Sequence, residues 1–128
     1  MLIDSSLIID FIRRQDKSNC WFYFLISGEA KPMVSVVTQA ELYAGKSVWE
    51  KRGARDELGL IFSVLRILPL SEEIAVAAGR IRAIYGIDLI DAIIAASAMS
   101  RSESLATLNP KHFKVIAGLK LAPIANYS

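Results

Sequence analysis

The sequence predicts an α/β fold, with short strands and helices alternating around a mainly parallel sheet. Three observations predict it. Apolar runs of strand length, at Leu2-Ile3, Met33 to Val37, Ile67 to Leu70 and Ser104 to Leu108, are separated by longer stretches with helical spacing. Two of these runs hand over to a helix that carries an acid near its start, Asp4 after the first and Glu41 after the second. The chain of 128 residues is 53% hydrophobic, with a mean hydropathy of +0.38. A chain of this length buries roughly two-thirds of its unfolded surface and forms one core, so a single domain over residues 1–128 is expected.

In chain order, Leu2 and Ile3 read as a short buried strand. From Ser5 to Arg14 the apolar residues Leu7, Ile8, Phe11 and Ile12 recur on one helical face. Asp4 therefore sits at a strand-to-helix junction. In an open α/β sheet, ligands bind at the carboxyl ends of the strands, which places Asp4 well for chemistry. Helix capping by Asp4 or Ser5 is an equally complete structural explanation.

After a polar break at Arg13 to Lys17, Asn19 to Ser27 reads as a second helix whose centre, Cys20 to Ile26, is apolar on every side. A surface helix carries a single apolar stripe. One side is therefore expected to meet the core and the other a second chain, because large aromatics are favoured at interface centres. Gly28 to Pro32 is a turn, and Met33 to Val37 a β-branched strand. Thr38-Gln-Ala-Glu41 then has the spacing of a capping box, with Thr38 as the cap and Glu41 reaching back. If the first two strands are parallel, Asp4 and Glu41 project from the same edge.

Lys46 to Arg55 reads as a solvated helix end and a turn around Gly53, and Glu57 to Leu65 as the next helix. Ile67 to Leu70 is a brief strand. Ser71-Glu72-Glu73 opens a helix, its acids complementing the helix dipole. At Gly86-Ile-Asp88-Leu-Ile-Asp91, Asp88 reads as an N-cap and Asp91 as the third helical residue, with the two on one face. Ser104 to Leu108 is a fourth strand, Asn109 to Phe113 a turn, and Lys120 to Ile124 a final edge strand.

Composition bounds the function loosely. A net charge of +2 permits an anionic partner without requiring one. Cys20 is the only cysteine, so no disulfide or cysteine-rich zinc site forms within one chain, and a reducing compartment is expected. No apolar run approaches the ~18 residues of a membrane span, and Asp4 interrupts what would be the apolar part of a signal peptide. The expected location is the cytoplasm.

Asp4, Glu41 and Asp91 thus stand at element junctions that a parallel sheet would gather. Two like charges about 4 Å apart repel by ~4 kcal/mol at an effective dielectric near 20. Either the three acids are spread apart and each is a helix-start residue, or a dication neutralises them. An all-oxygen set suits Mg²⁺ or Mn²⁺ better than zinc.

Four stretches, Asp4 to Asp10, Thr38 to Leu42, Asp91 to Ala98 and Leu105 to Phe113, resemble in order and spacing the motifs of PIN-domain ribonucleases, most closely the VapC toxins of toxin–antitoxin pairs. The resemblance spans essentially the whole chain. It implies a three-layer α/β/α sandwich and cleavage of RNA, with Asp4, Glu41 and Asp91 binding Mg²⁺ or Mn²⁺. It also implies a VapB-like antitoxin lying across an apolar groove, and a homodimer. Asn109 matches a fourth family position that is Asp in many members, and its amide carries no charge. His112 stands where many relatives have Asp, and it reads as an exposed turn residue. Ser5 and Asp88 are accessory candidates, and Arg13, Arg14, Lys17, Lys46, Arg80 and Arg82 are candidate phosphate contacts. The alternative is a catalytically silent module of the same fold that binds RNA or protein, though such a module would not need all three acids. A receiver-like phosphotransfer domain fits less well, lacking a second acid within two residues of Asp4.

Overall fold

The structure is a computed structural model and describes residues 1–29 and 31–123. Its centre is a parallel sheet of four strands in the order β3-β2-β1-β4, formed by β1 (Leu2–Ile3), β2 (Met33–Ser35), β3 (Arg66–Leu68) and β4 (Leu105–Ala106). β1 lies between β2 and β4, with Leu2 opposite Met33 and Leu105, and Ile3 opposite Val34 and Ala106. Every strand pair is parallel, so the chain crosses back through helices between strands.

Consecutive strand residues face opposite sides of a sheet, and the core divides accordingly. Leu2, Met33, Leu68 and Leu105 pack on one side against α6 (Glu72–Tyr85) and α7 (Leu89–Ser100), with Phe113 and Ile116 closing the layer. Ile3, Val34 and Ala106 pack on the other side against α1 (Ser5–Arg13), α2 (Trp21–Ile26) and α5 (Arg52–Ser63). The result is the expected α/β/α sandwich. In α7, seven consecutive residues from Ala92 to Ala98 are buried, and their small and branched side chains admit a close approach to the sheet. Between the layers, α3 (Val36–Tyr43) leaves the carboxyl end of β2 and packs against both cores, through Val37 on one side and Leu42 and Tyr43 on the other.

Several local expectations are corrected. β2 ends at Ser35, and Ser35, not Thr38, caps α3 by accepting from the Val37 N–H at 3.1 Å. There is no capping box. Val36 and Val37 have strand propensity, but the cap at Ser35 starts the helix ahead of them, and Val37 packs on one core while Val36 is exposed. The Lys46 to Arg55 segment is two helices, α4 (Lys46–Glu50) and the start of α5, rather than a helix end and a turn. Gly53 falls in the first turn of α5, where it does not prevent a helix. Asn109 to Phe113 contains a 3-10 helix at Pro110–His112. Of the expected edge strand at 120–124, a single parallel bridge is present between Leu105 and Leu121, and Ile124 lies outside the described residues.

Helix α2 divides as its composition suggests: Phe22 is buried, Tyr23 and Phe24 are exposed. No helix among the described residues is long and apolar enough to cross a membrane.

Candidate metal centre at the carboxyl edge of the sheet

Asp4 follows the central strand directly. Its N–H donates to the Ala106 carbonyl of β4 at 3.2 Å, which continues the ladder one step past the strand. Its side chain is 7% exposed and caps α1, accepting from the Ser6 N–H at 3.0 Å. The Ser6 hydroxyl donates to the same oxygen, Oδ1. The other oxygen, Oδ2, accepts from the Thr107 hydroxyl at 2.5 Å. Both hydroxyls are themselves held: Ser6 Oγ accepts from the Leu108 N–H at 2.9 Å and Thr107 Oγ1 from the Asn109 N–H at 3.0 Å. Burial raises the Asp4 pKa despite the hydrogen bonds from Ser6 and Thr107, which oppose the rise.

Glu41 lies in the last turn of α3, exposed at the rim. Its pKa is also raised, first by desolvation and then by repulsion from Asp91, Asp4 and Asp88. Asp91, in the first turn of α7, is raised by desolvation and by repulsion from Asp88 and Asp4, and is lowered in part by His112. His112 Nδ1 lies 3.3 Å from Asp91 Oδ2. The four acids thus share one electrostatic neighbourhood, brought together from β1, α3 and the start of α7. They stop short of chelation: among the described residues, no group of three or more His, Cys, Asp or Glu side chains is placed to hold an ion.

The donor set fits a hard dication in kind. It consists of carboxylates, which repel one another in the absence of a counter-charge. One further polar atom is in search of a partner. Thr38 is fully buried, one turn before Glu41 on α3, and its Oγ1 has no hydrogen bond among the described residues.

The accessory candidates fare differently. Ser6 and Thr107, not Ser5, brace the Asp4 carboxylate. Asp88 occupies the cap position of α7, but its side chain makes no capping bond, and it is exposed. Asn109 contributes its backbone N–H to Thr107 and is exposed. His112 is not a free turn residue, although its side chain is 58% exposed, because it meets Asp91.

Four of the six basic candidates already meet a partner within the chain. Arg14 pairs with Asp10 at 2.9 Å and donates to the Asn19 carbonyl at 2.7 Å. Lys17 donates to the Phe11 and Ile12 carbonyls at 2.9 and 2.5 Å. Arg82 donates to the carbonyls of Gly86 and Ile87 at 3.3 and 2.6 Å, and Lys46 lies 3.8 Å from Glu50. Arg13 and Arg80 are exposed. Arg13 ends α1, about 13 Å along the helix from Asp4 at 1.5 Å per residue. Arg80 lines a groove of about 1000 Å³ with Val76, Ile81 and Met99. Met99 is about 12 Å along α7 from Asp91, so the groove is not part of the acidic edge.

Comparison with known proteins gives a consistent set of relatives. Residues 1–119 match the model of the PIN domain. The chain is 33% identical over 127 residues to Ribonuclease VapC10 of Mycobacterium tuberculosis, covering 94% of this chain and 90% of that protein. A toxin–antitoxin complex from Klebsiella pneumoniae contains a chain 27% identical, with a TM-score of 0.73 over 92% of this chain and 93% of that one. DNA-bound VapBC of Salmonella typhimurium aligns with a TM-score of 0.75 at 26% identity, covering 94% and 95%. VapBC2 of Rickettsia felis, bound to a promoter DNA fragment, shares the fold at a TM-score of 0.78 and 22% identity, covering 94% and 96%.

Proposed function

The chain belongs to the PIN domain family, in its VapC-type branch, and we propose that it is a divalent-metal-dependent endoribonuclease, the toxin of a VapBC-type pair. The observation that carries this reading is the gathering of Asp4, Glu41 and Asp91 at one edge of the sheet, where repulsion from Asp91 and Asp4 adds to the desolvation that raises the Glu41 pKa, and where desolvation with repulsion from Asp88 and Asp4 outweighs His112 at Asp91. Perturbed carboxyls gathered in this way mark functional sites.

In this reading Asp4, Glu41 and Asp91 hold Mg²⁺ or Mn²⁺. Such an ion, when bound, lowers the pKa of a coordinated water and offsets negative charge on the phosphoryl group. Asp4 contributes a carboxylate fixed from both sides by Ser6 and Thr107, so its direction is set before any ligand arrives. Glu41 has no donor against its carboxylate among the described residues and adjusts to the ligand. The carboxylates must be ionised to bind a cation, so binding works against the protonation that burial favours at all three. Asn109 and Asp88 stand at the margin of the site, and the uncharged Asn109 adds no carboxylate for a second ion.

The substrate is RNA, and the chain works in the cytoplasm, paired as a homodimer and silenced by a VapB-like antitoxin. The exposed Tyr23 and Phe24 of α2 support a protein partner there. Beside them is a cavity of about 410 Å³ lined by Met1, Phe24, Leu25 and Pro32.

The test is cleavage of a mixed-sequence fluorogenic RNA by the purified chain, with Mg²⁺ or with EDTA, alongside Asp4→Asn and Asp91→Asn. Loss of cleavage in EDTA and in both variants, with unchanged circular dichroism, is the expected result. A rate indifferent to chelator and to both substitutions overturns the proposal.

A further inference from the structure

We propose that His112 is a positioning residue for Asp91, orienting its carboxylate toward the bound cation; this rests on the reading of the acidic edge as a metal site. The geometry comes from the segment after β4. The 3-10 helix Pro110–His112 is closed by the His112 N–H to Asn109 carbonyl bond at 3.1 Å and the Phe113 N–H to Pro110 carbonyl bond at 3.1 Å. Phe113, the next residue, is 1% exposed and anchored in the core against α7's layer. The turn fixes the backbone of His112, and the imidazole reaches from it to Asp91. Its Nδ1 lies 3.3 Å from Asp91 Oδ2, within reach of an N–H donated to the carboxylate.

The chemistry favours a supporting role. Asp91 is crowded by Asp88 and Asp4, and His112 alone acts in its favour. A donor on Oδ2 limits rotation of the carboxylate and leaves Oδ1 for the cation. Asp4 is held more closely, by hydrogen bonds from the Ser6 and Thr107 hydroxyls where Asp91 has a single imidazole contact. Outer partners of this kind typically change metal affinity by about 10–100-fold when removed. The same contact also accounts for a histidine where a further acid would only add to the repulsion.

The experiment is titration of the full chain with Mn²⁺ by calorimetry. His112→Ala is expected to weaken Mn²⁺ binding by about 10–100-fold, with an unchanged melting temperature in the absence of metal. His112→Asn, whose amide donates from near the position of Nδ1, is expected to recover most of the affinity. Because His112 is the only histidine, its imidazole ¹⁵N resonances can be read without ambiguity. In the metal-free chain they are expected to show Nδ1 protonated and to shift in Asp91→Asn. That spectrum decides the matter even if His112→Ala fails to fold. Undiminished Mn²⁺ affinity in His112→Ala, with affinity lost in Asp91→Asn, overturns the role of His112 and leaves the metal site standing. Imidazole resonances indifferent to Asp91→Asn overturn it as well. Equal Mn²⁺ affinity in the native chain, Asp4→Asn and Asp91→Asn overturns both the inference and the metal site beneath it.

Discussion

Asp4 and Glu41 carry the same charge at the same edge of the sheet, yet they are held in opposite ways. Asp4 follows a strand paired on both sides, is almost fully buried, and has both oxygens engaged by hydroxyls that are themselves bonded to the backbone. Glu41 lies most of two turns into a helix at the rim, with repulsion from three acids and no donor on its carboxylate among the described residues. The difference teaches that a site of one chemical type has a fixed half and an adjustable half. A buried carboxylate needs its hydrogen bonds to be tolerated at all, and the same bonds give it a direction. A rim carboxylate has solvent to fall back on, and that leaves it free to move.

The sharpest way to break this comparison is to remove charge from the fixed half. Asp4→Asn retains an oxygen to cap α1 and keeps the fold, but is expected to lower cleavage by about 10²–10³-fold, the range for removing one preorganised electrostatic group. Circular dichroism and single-turnover kinetics together check this. Next comes the bracing itself. Thr107→Val conserves shape, but deletes the donor to Asp4 and the acceptor for the Asn109 N–H. It is expected to cost about 1–3 kcal/mol in urea unfolding, because a buried carboxylate loses a partner. Metal affinity is expected to fall by about 10–100-fold as well. If Thr107→Val is neutral in both measurements, the fixed half is not fixed by Thr107.

The smallest effect belongs to the adjustable half, and its sign is opposite. A carboxyl whose folded-state pKa is raised binds its proton more tightly folded than unfolded, so ionisation weakens the fold. For Glu41 that loss begins in the ordinary carboxylate range, grows as the pH rises through the raised value, and is complete above it. Glu41→Gln is therefore expected to raise the melting temperature of the metal-free chain at neutral pH by about 1–2 °C, the scale of a 0.5 kcal/mol change in a domain of this size. At acidic pH, where Glu41 is protonated, the gain disappears. Melting curves across pH check the sign, and a drop in stability at neutral pH would show that Glu41 has a stabilising partner after all.

Much of this arrangement was legible in the sequence wherever the signal was local. Alternating apolar runs and helical spacings foretold strands and helices around a parallel sheet, the family resemblance supplied the three-layer sandwich, and Asp4 and Asp91 stand at helix starts as their neighbours suggested. What was not legible depends on distance along the chain. Thr107 braces Asp4 across 103 residues, and no local pattern marks a hydroxyl for that task; Ser6, two residues from Asp4, is local but is passed over for its neighbour Ser5 on sequence alone. Thr38 illustrates a different failure. Its spacing to Glu41 imitates a capping box, but Ser35 caps α3 first and leaves Thr38 inside the helix with a buried hydroxyl. The basic residues show how little charge alone reveals, because the same side chain can serve a phosphate or a helix C-terminus, and Lys17 and Arg82 already donate to carbonyls there.

The bond from Thr107 to Asp4 has a consequence for the timing of biogenesis. Thr107 follows Asp4 by 103 residues, so during synthesis the clasp arrives only after that whole span has been made. Closing so long a loop comes late and at an entropic cost. A metal site of the kind proposed, built across that span, has its buried carboxylate incompletely braced until Thr107 has been added.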